Sequence, residues 1–488
     1  MSNQINEDEL KRKAVRGGAL TISARIITIL IQITSIIVLS RLLKPNDFGL
    51  IAMVTAITAF MVIFRDMGLS TAVIQKKDLK YEQINTLFWL NTVIGTFLTI
   101  ITIFLAPFIA EFYNRPELKY VVMALASTFL IASVGAQHAA LLQRDLNLKP
   151  KVIADIVGAI LTLVTSISMA YYGYGFWSLA CGTIIGALAT TLLYFKGSSF
   201  TPTRPRIATG TLELIHFGKN VTLFEVLNYF HRNLDNVLIG KFFGAIALGL
   251  YSRAYELMML PIASLRQPIN TVALPVLSKL QNNPEEFKKY YNNITKLLAF
   301  LSMPLMAFLI VKADIVVEIA LGEGWQRVVP IFQLLGLSGF IQAVASVRGV
   351  VLLSLGLSRR YVIWGLFNTT FVCLGFCLGI KWGVEGIAIS YAIVNYGILY
   401  PSLYFFYKDT PVSPIDFFKP IMLPAIASII SGYMTFYVDS FLYFDLALIN
   451  IIFSGFIFFV TFLMVVVLMP TGLDTLRSFK KLFKMVRA

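Results

Sequence analysis

Apolar runs of roughly twenty residues recur along the entire chain, and no soluble fold can be built around them. A helix needs about 20 residues to cross a ~30 Å hydrocarbon core. Fourteen stretches of that length are present, the first at residues 17–40 and the last at 446–469. They are continuously apolar rather than alternating, which excludes a transmembrane β-barrel. Only 14% of the 488 residues are charged, against about 25% in soluble domains. That deficit is what a bilayer demands, because a charge at its centre costs roughly 2.5–3.5 kcal/mol. The expected fold class is therefore an all-α membrane protein with about 14 transmembrane helices.

Cytoplasmic loops of such proteins are enriched in Lys and Arg. With both termini placed inside, the inner loops carry Arg65, Lys76, Lys77, Lys80, Arg144, Lys149 and many others, while the outer loops hold a short set that includes Arg41, Lys44, Lys312 and Arg327. The inside set outnumbers the outside set by roughly three to one. A net charge of +15 spread between apolar runs points to anionic lipid headgroups as the partner rather than nucleic acid. The run from Arg477 to Arg487 has the spacing of a basic amphipathic helix lying on such lipid. Cys181, Cys373 and Cys377 sit inside apolar stretches without metal or disulfide spacing. No phosphate-cradling loop, catalytic triad or metal cluster is present, so no enzyme site or resident cofactor is expected.

An internal repeat runs at an offset of about 200 residues. SRLLKPNDFGL, Ser40 to Leu50, aligns with GKFFGAIALGL, Gly240 to Leu250, keeping a basic residue followed eight positions later by Gly-Leu. Six helices per copy is an even number, so both copies enter the membrane from the same side, with a substrate site expected between parallel halves. The organisation that follows is a cytoplasmic tail at 1–16, a six-helix bundle at 17–200, a second at 201–410, an appended helix pair at 411–470 and a basic cytoplasmic tail at 471–488.

Polar residues within a span face protein or a water-filled cavity. In the first helix Thr21, Arg25, Thr28, Gln32 and Ser35 share one face by their spacing, and in the seventh Thr222, Glu225, Asn228, Arg232 and Asp235 do the same. Arg25, Arg232, Arg253 and Arg348 are candidate ligands for a phosphate-bearing headgroup, since a guanidinium stays charged and donates bidentate bonds to phosphate oxygens. Gln32 and Asn228 lie on the same stripes and complete the expected binding set. The competing interpretation has Arg25 snorkelling to the interface and Arg232–Asp235 and Arg253–Glu256 as structural i, i+3 pairs. Asp155, Glu225, Asp235 and Glu256 are candidate sites for a coupling H+ or Na+, because buried carboxylates are readily raised in pKa; they equally balance the neighbouring arginines.

Several stretches carry a family resemblance. RLLKPNDFGLIAMVTAITAF, RDMGLSTAVIQKKDLKYEQINTLFWLN, APFIAEFYNRPELKYV and GYGFWSLA closely resemble the first half of polysaccharide flippases of the WzxC and TuaB type, within the multidrug/oligosaccharidyl-lipid/polysaccharide exporter superfamily. The resemblance implies two six-helix bundles with an added helix pair around a cationic cavity that opens alternately to either side. It further implies export of undecaprenyl-pyrophosphate-linked repeat units across a bacterial cytoplasmic membrane, for lipopolysaccharide O-antigen or a similar polymer, in association with a polysaccharide polymerase and glycosyltransferases. Related lipid II flippases use arginines on the first, second and eighth helices; Arg25 and Arg253 occupy the first and eighth here, and the second has no match. The main alternative is an ion-coupled drug antiporter of the same superfamily. A membrane-embedded glycosyltransferase or polymerase is disfavoured because the outer loops are short.

Overall fold

A computed structural model describes residues 7–76, 78–206, 208–209, 211–441, 446–470, 472–473 and 477. Among these the regular structure is helical, and the chain divides into two compact units, Met1–Gly249 and Leu250–Ala488. Among the described residues twelve helical spans are long and apolar enough to cross a membrane. Two of them, Tyr229–Lys279 and Ser358–Tyr407, run to 51 and 50 residues, which at 1.5 Å per residue is about twice what one crossing needs. The fourteen runs expected from sequence thus map onto twelve spans, two of double length.

Unit 1 contains α1 (Glu7–Leu42), α2 (Pro45–Asp66), α3 (Leu69–Gln75), α4 (Tyr81–Tyr113), α5 (Leu118–Arg144), α6 (Leu148–Tyr171), α7 (Phe176–Gly197) and the first part of α8 (Thr211–Lys279). Helix α1 begins at Glu7, ahead of its apolar span, Ser23–Leu42. Helix starts are set by side-chain caps. Asp47 accepts from the Lys44 N–H through Oδ2 at 3.0 Å and from the Phe176 N–H through Oδ1 at 3.1 Å, so one carboxylate serves the N-termini of both α2 and α7. The turn after α2 passes through two left-handed residues, Met67 (φ 47) and Gly68 (φ 68), and Asp66 then accepts from the Ser70 N–H and hydroxyl at the start of α3.

The repeat is visible in this unit. Helix α8 is interrupted at Gly244, whose φ of 82 and ψ of −178 are open to glycine and strained for other residues. The aligned residue in the first copy, Lys44, is the extended break between α1 and α2. The two aligned segments also touch each other: a Cβ on Gly49 would sit 1.7 Å from the carbonyl oxygen of Ala245, and one on Gly249 would sit 1.9 Å from that of Pro45. Such backbone-to-backbone approach is what small residues permit between membrane helices.

Helices α4 and α5 run antiparallel, with Thr99 Oγ1 donating to the Ala126 carbonyl and the space beside Gly95 filled by Ser133. One turn along from that crossing lie Asn91 on α4 and Gln137 on α5, both fully buried. Next to them His138 packs among the rings of Phe88, Phe195 and Phe200.

Unit 2 contains the end of α8 and α9 (Pro284–Val311), α10 (Ala313–Leu321), α11 (Val328–Ala345), α12 (Val347–Ser354), α13 (Ser358–Gly379), α14 (Gly383–Gly397), α15 (Leu399–Tyr407), α16 (Pro414–Asp439) and α17 (Ala447–Leu468). Asn283 caps α9 by accepting from the Glu286 N–H, and Ser413 and Asp416 cap α16 reciprocally ahead of Pro414. A large core joins Phe287, Tyr291, Leu298, Val344, Leu403 and Phe417. Helix α16 lays a face of small residues against its neighbours. Ser428, Ser431 and Thr435 are fully buried there and turn their hydroxyls back onto carbonyls one turn earlier, which satisfies them without an interhelical partner. The appended pair α16 and α17 is packed onto α9 through Ala307, Ala427, Phe458 and Phe462.

Lys312, expected in an outer loop, is the residue that joins α9 to α10. Its side chain is only 4% exposed, and its Nζ contacts Asp439 Oδ2 at 2.7 Å and Asn450 Oδ1 at 2.8 Å. Ser454 donates to the second oxygen of Asp439. A long apolar run that ends in a lysine is read as a loop boundary; here the buried cation has its partners on α16 and α17.

Candidate substrate-binding and coupling residues

Helix α1 packs against α6 and carries Arg25 near the start of its apolar span, Ser23–Leu42. Arg25 is half-buried, while Ile26 and Leu30 on the same helix are 57% and 58% exposed. Its Nε is fully buried and meets no hydrogen-bond partner among the described residues. Gln32, two turns on, is exposed, and Thr28 turns its hydroxyl to the Ala24 carbonyl.

On α8 the stripe is partly legible. The side chains of Glu225 and Asn228 lie outside the described residues, as does that of Thr222. Arg232 is exposed. Asp235 is 4% exposed and its Oδ1 accepts from the Asn236 N–H at 2.8 Å. Tyr229, between them, donates to the Ala56 carbonyl at 2.7 Å and fixes this arm of α8 on α2.

The remaining candidates are held by partners within their own units. Arg253 Nη1 lies 2.6 Å from Glu256 Oε2, with the guanidinium 12% and the carboxylate 46% exposed, so a residue expected to bind substrate and one expected to carry a coupling ion form a single pair. Arg348 donates through Nε to the Ala345 carbonyl at 2.8 Å and through Nη1 to the Ser402 hydroxyl. Its guanidinium lies 6.0 Å from the Phe406 ring centroid, a cation–π distance, so the side chain ties α12 to α15. Asp155 is flanked by Lys151 at 2.9 Å and by the Tyr194 hydroxyl, which donates to it. Sequence reasoning missed the Tyr291–Tyr407 hydroxyl contact, the Lys288–Asp416 pair at 2.8 Å and the Lys312 network. Each joins residues more than a hundred positions apart, and the only signal available was a lone polar residue in an apolar run. Among the described residues no group of His, Cys, Asp and Glu has the arrangement of a metal site.

The architecture defines a multi-pass helical membrane protein with the fold of the MOP transporters. It superimposes on a lipid II flippase, MurJ, in an inward closed conformation with a TM-score of 0.76 at 13% identity, covering 92% of this chain and 98% of that one. An inward-facing multidrug resistance MATE family transporter of the MOP superfamily matches with a TM-score of 0.62 at 14% identity over 84% and 95% of the two chains. The chain belongs to the polysaccharide biosynthesis protein family, whose model matches residues 38–330. Its relatives include the teichuronic acid biosynthesis protein TuaB of Bacillus subtilis, 29% identical over 72% of this chain and 74% of that one. The lipopolysaccharide biosynthesis protein WzxC of Escherichia coli is 24% identical over 83% and 82%.

Proposed function

We propose that this protein is a flippase that carries an undecaprenyl-pyrophosphate-linked oligosaccharide repeat unit across the bacterial cytoplasmic membrane, both termini inside, for cell-surface polysaccharide synthesis. The observation that carries the reading is Arg25: a guanidinium within a membrane span, half-buried, with a buried Nε that the protein leaves without a partner. Holding such a donor in a low-dielectric setting is costly unless something else accepts from it. A pyrophosphate is a suitable acceptor, because its oxygens match the planar fork of the guanidinium. Family membership and relatives named for teichuronic acid and lipopolysaccharide synthesis support a saccharide-bearing cargo.

In this mechanism the polyprenyl tail stays in lipid while polar residues carry the pyrophosphate and sugars, and no covalent bond changes. Arg25 takes the phosphates and Gln32 offers an amide to the sugars. Arg232, Arg253, Arg348 and Asn228 are assigned lesser contacts along the route. Rocking of the two bundles by alternating access moves the opening from one face to the other. Asp235, the most buried of the candidate carboxylates described, is the group assigned to a coupling H+ or Na+. The protein is placed alongside the polymerase and glycosyltransferases that make and consume its cargo.

The test is Arg25→Ala in the native host, with surface polymer and the amount of inserted protein measured together. Loss of surface polymer at an unchanged protein level, with partial rescue by Arg25→Lys, is expected. Normal polymer in Arg25→Ala removes the pyrophosphate-binding role. Dye efflux that requires Glu256, with unchanged polymer, favours the antiporter reading suggested by the MATE fold.

A further inference from the structure

Between α7 and α8 the chain runs as a proline-containing segment, Thr201-Pro-Thr-Arg-Pro-Arg206, that forms no helix or strand. Its backbone is nevertheless held at nearly every step by side chains from the first turns of α4. The Tyr81 hydroxyl donates to the Thr201 carbonyl and Trp89 Nε1 to that of Thr203 at 2.7 Å. Asn85 donates to the Arg204 carbonyl at 3.0 Å and accepts from the Thr203 N–H at 2.8 Å. Thr86 reaches the Arg206 carbonyl at 2.7 Å and accepts from the Ala208 N–H, and Gln83 donates to Thr209. Pro202 and Pro205 remove backbone freedom as well. The result is a rigid strap without secondary structure of its own.

This strap and the start of α4 enclose a cavity of about 520 Å3, lined by Tyr81, Glu82, Asn85, Arg204 and Arg206 among others. The carbonyls of both arginines are used to pin the strap, while their side chains are exposed and line the pocket. Two cations on a pinned backbone therefore share one pocket, beside the positive end of the α4 dipole. The pocket stands where the long apolar helix α4 begins, near the end of α7; the ends of apolar spans are where lipid headgroups begin, and Tyr81 and Trp89 are amphipathic rings of the kind found in that zone. Glu82 adds a single acceptor, suited to hydroxyls.

We infer that this pocket is a binding site for a hydroxyl-bearing phosphodiester, with Arg204 and Arg206 on the phosphate and Glu82 on the hydroxyls. The site is separate from the transport residues above and does not depend on what the protein carries. The same chemistry is offered by an anionic glycerophospholipid headgroup and by a soluble phosphodiester.

The experiment uses the purified full-length protein in a neutral detergent, titrated with short-chain phosphatidylglycerol and, separately, with its deacylated headgroup glycerophosphoglycerol. Trp89, bonded to the strap, gives a fluorescence readout, and native mass spectrometry gives stoichiometry. Saturable binding of one equivalent is expected. Arg204→Gln with Arg206→Gln should weaken it about ten- to a hundredfold with an unchanged melting temperature, because only side chains outside the backbone bonds are altered. Binding of the lipid alone assigns the site to a headgroup, and binding of both ligands with similar affinity assigns it to the phosphodiester itself; either supports the inference. Asn85→Leu, which loosens the strap but keeps both arginines, should also weaken binding. No saturable binding to the wild type, or affinity unchanged in the double variant, overturns the inference. Affinity unchanged in Asn85→Leu overturns the pinned strap as its basis.

Discussion

The two units differ in how far their buried amides are satisfied. In unit 2 Lys312 meets Asp439 and Asn450, with Ser454 on the second Asp439 oxygen, Arg348 meets Ala345 and Ser402, and the Gln342 amide keeps a bond to Tyr391 while its oxygen and the Ser338 hydroxyl have none. In unit 1 the side chains of Asn91, Gln137 and His138, all fully buried, and the Nε of Arg25 meet no partner among the described residues. A charge network in the membrane that satisfies itself holds helices in place. A donor left open is available to something that comes and goes, which is the property a transport path requires. The contrast is one of degree: among the described residues unit 1 leaves the whole amides of Asn91 and Gln137 open, where unit 2 leaves single oxygens and hydroxyls.

The sharpest way to break the contrast is to remove one member of a closed network. Lys312→Met leaves the half-buried Asp439 with the Ser454 hydroxyl as its described donor and should cost about 3 kcal/mol in detergent-based thermal unfolding, the low end for breaking a buried pair. Lys312→Met combined with Asp439→Leu should recover most of that. A single variant as stable as the wild type would show that the network contributes nothing to docking α16 and α17. Arg348→Met comes next, at about 1.5–3 kcal/mol for hydrogen bonds made by a charged donor, read in the same unfolding experiment. The smallest effect belongs to unit 1. Gln137→Leu removes an amide that has no described partner and should leave melting unchanged or raise it slightly, since replacing unpaired polar groups by apolar ones is close to neutral. A large loss on Gln137→Leu would mean that the α4–α5 seam is closed by contacts of its own.

Much of this was legible in the sequence because the bilayer imposes a coarse rule: long apolar runs become helices. The last run, 446–469, appears as α17, Ala447–Leu468. The repeat was visible because glycine marks backbone geometry directly, so Gly49 and Gly249 stood out in both copies. Pairings were not legible. Periodicity places Arg348 on a helix face, and the break at Ser346 and the contact with Ser402 depend on how four elements meet. Arg253 and Glu256 could be paired from their spacing alone, whereas Lys312 and Asp439 are 127 positions apart. The strap over α4 left only a cluster of prolines and arginines as a trace.

The approach of Gly49 to Ala245 and of Gly249 to Pro45 limits how this chain can change. Overpacked side chains are commonly relieved by trimming a neighbour, but the obstacle at both glycines is main chain, which no second-site substitution can shorten. A suppressor screen against a bulky residue at either position should therefore return reversion to glycine and little else, and the two positions should behave alike although they lie in different copies of the repeat.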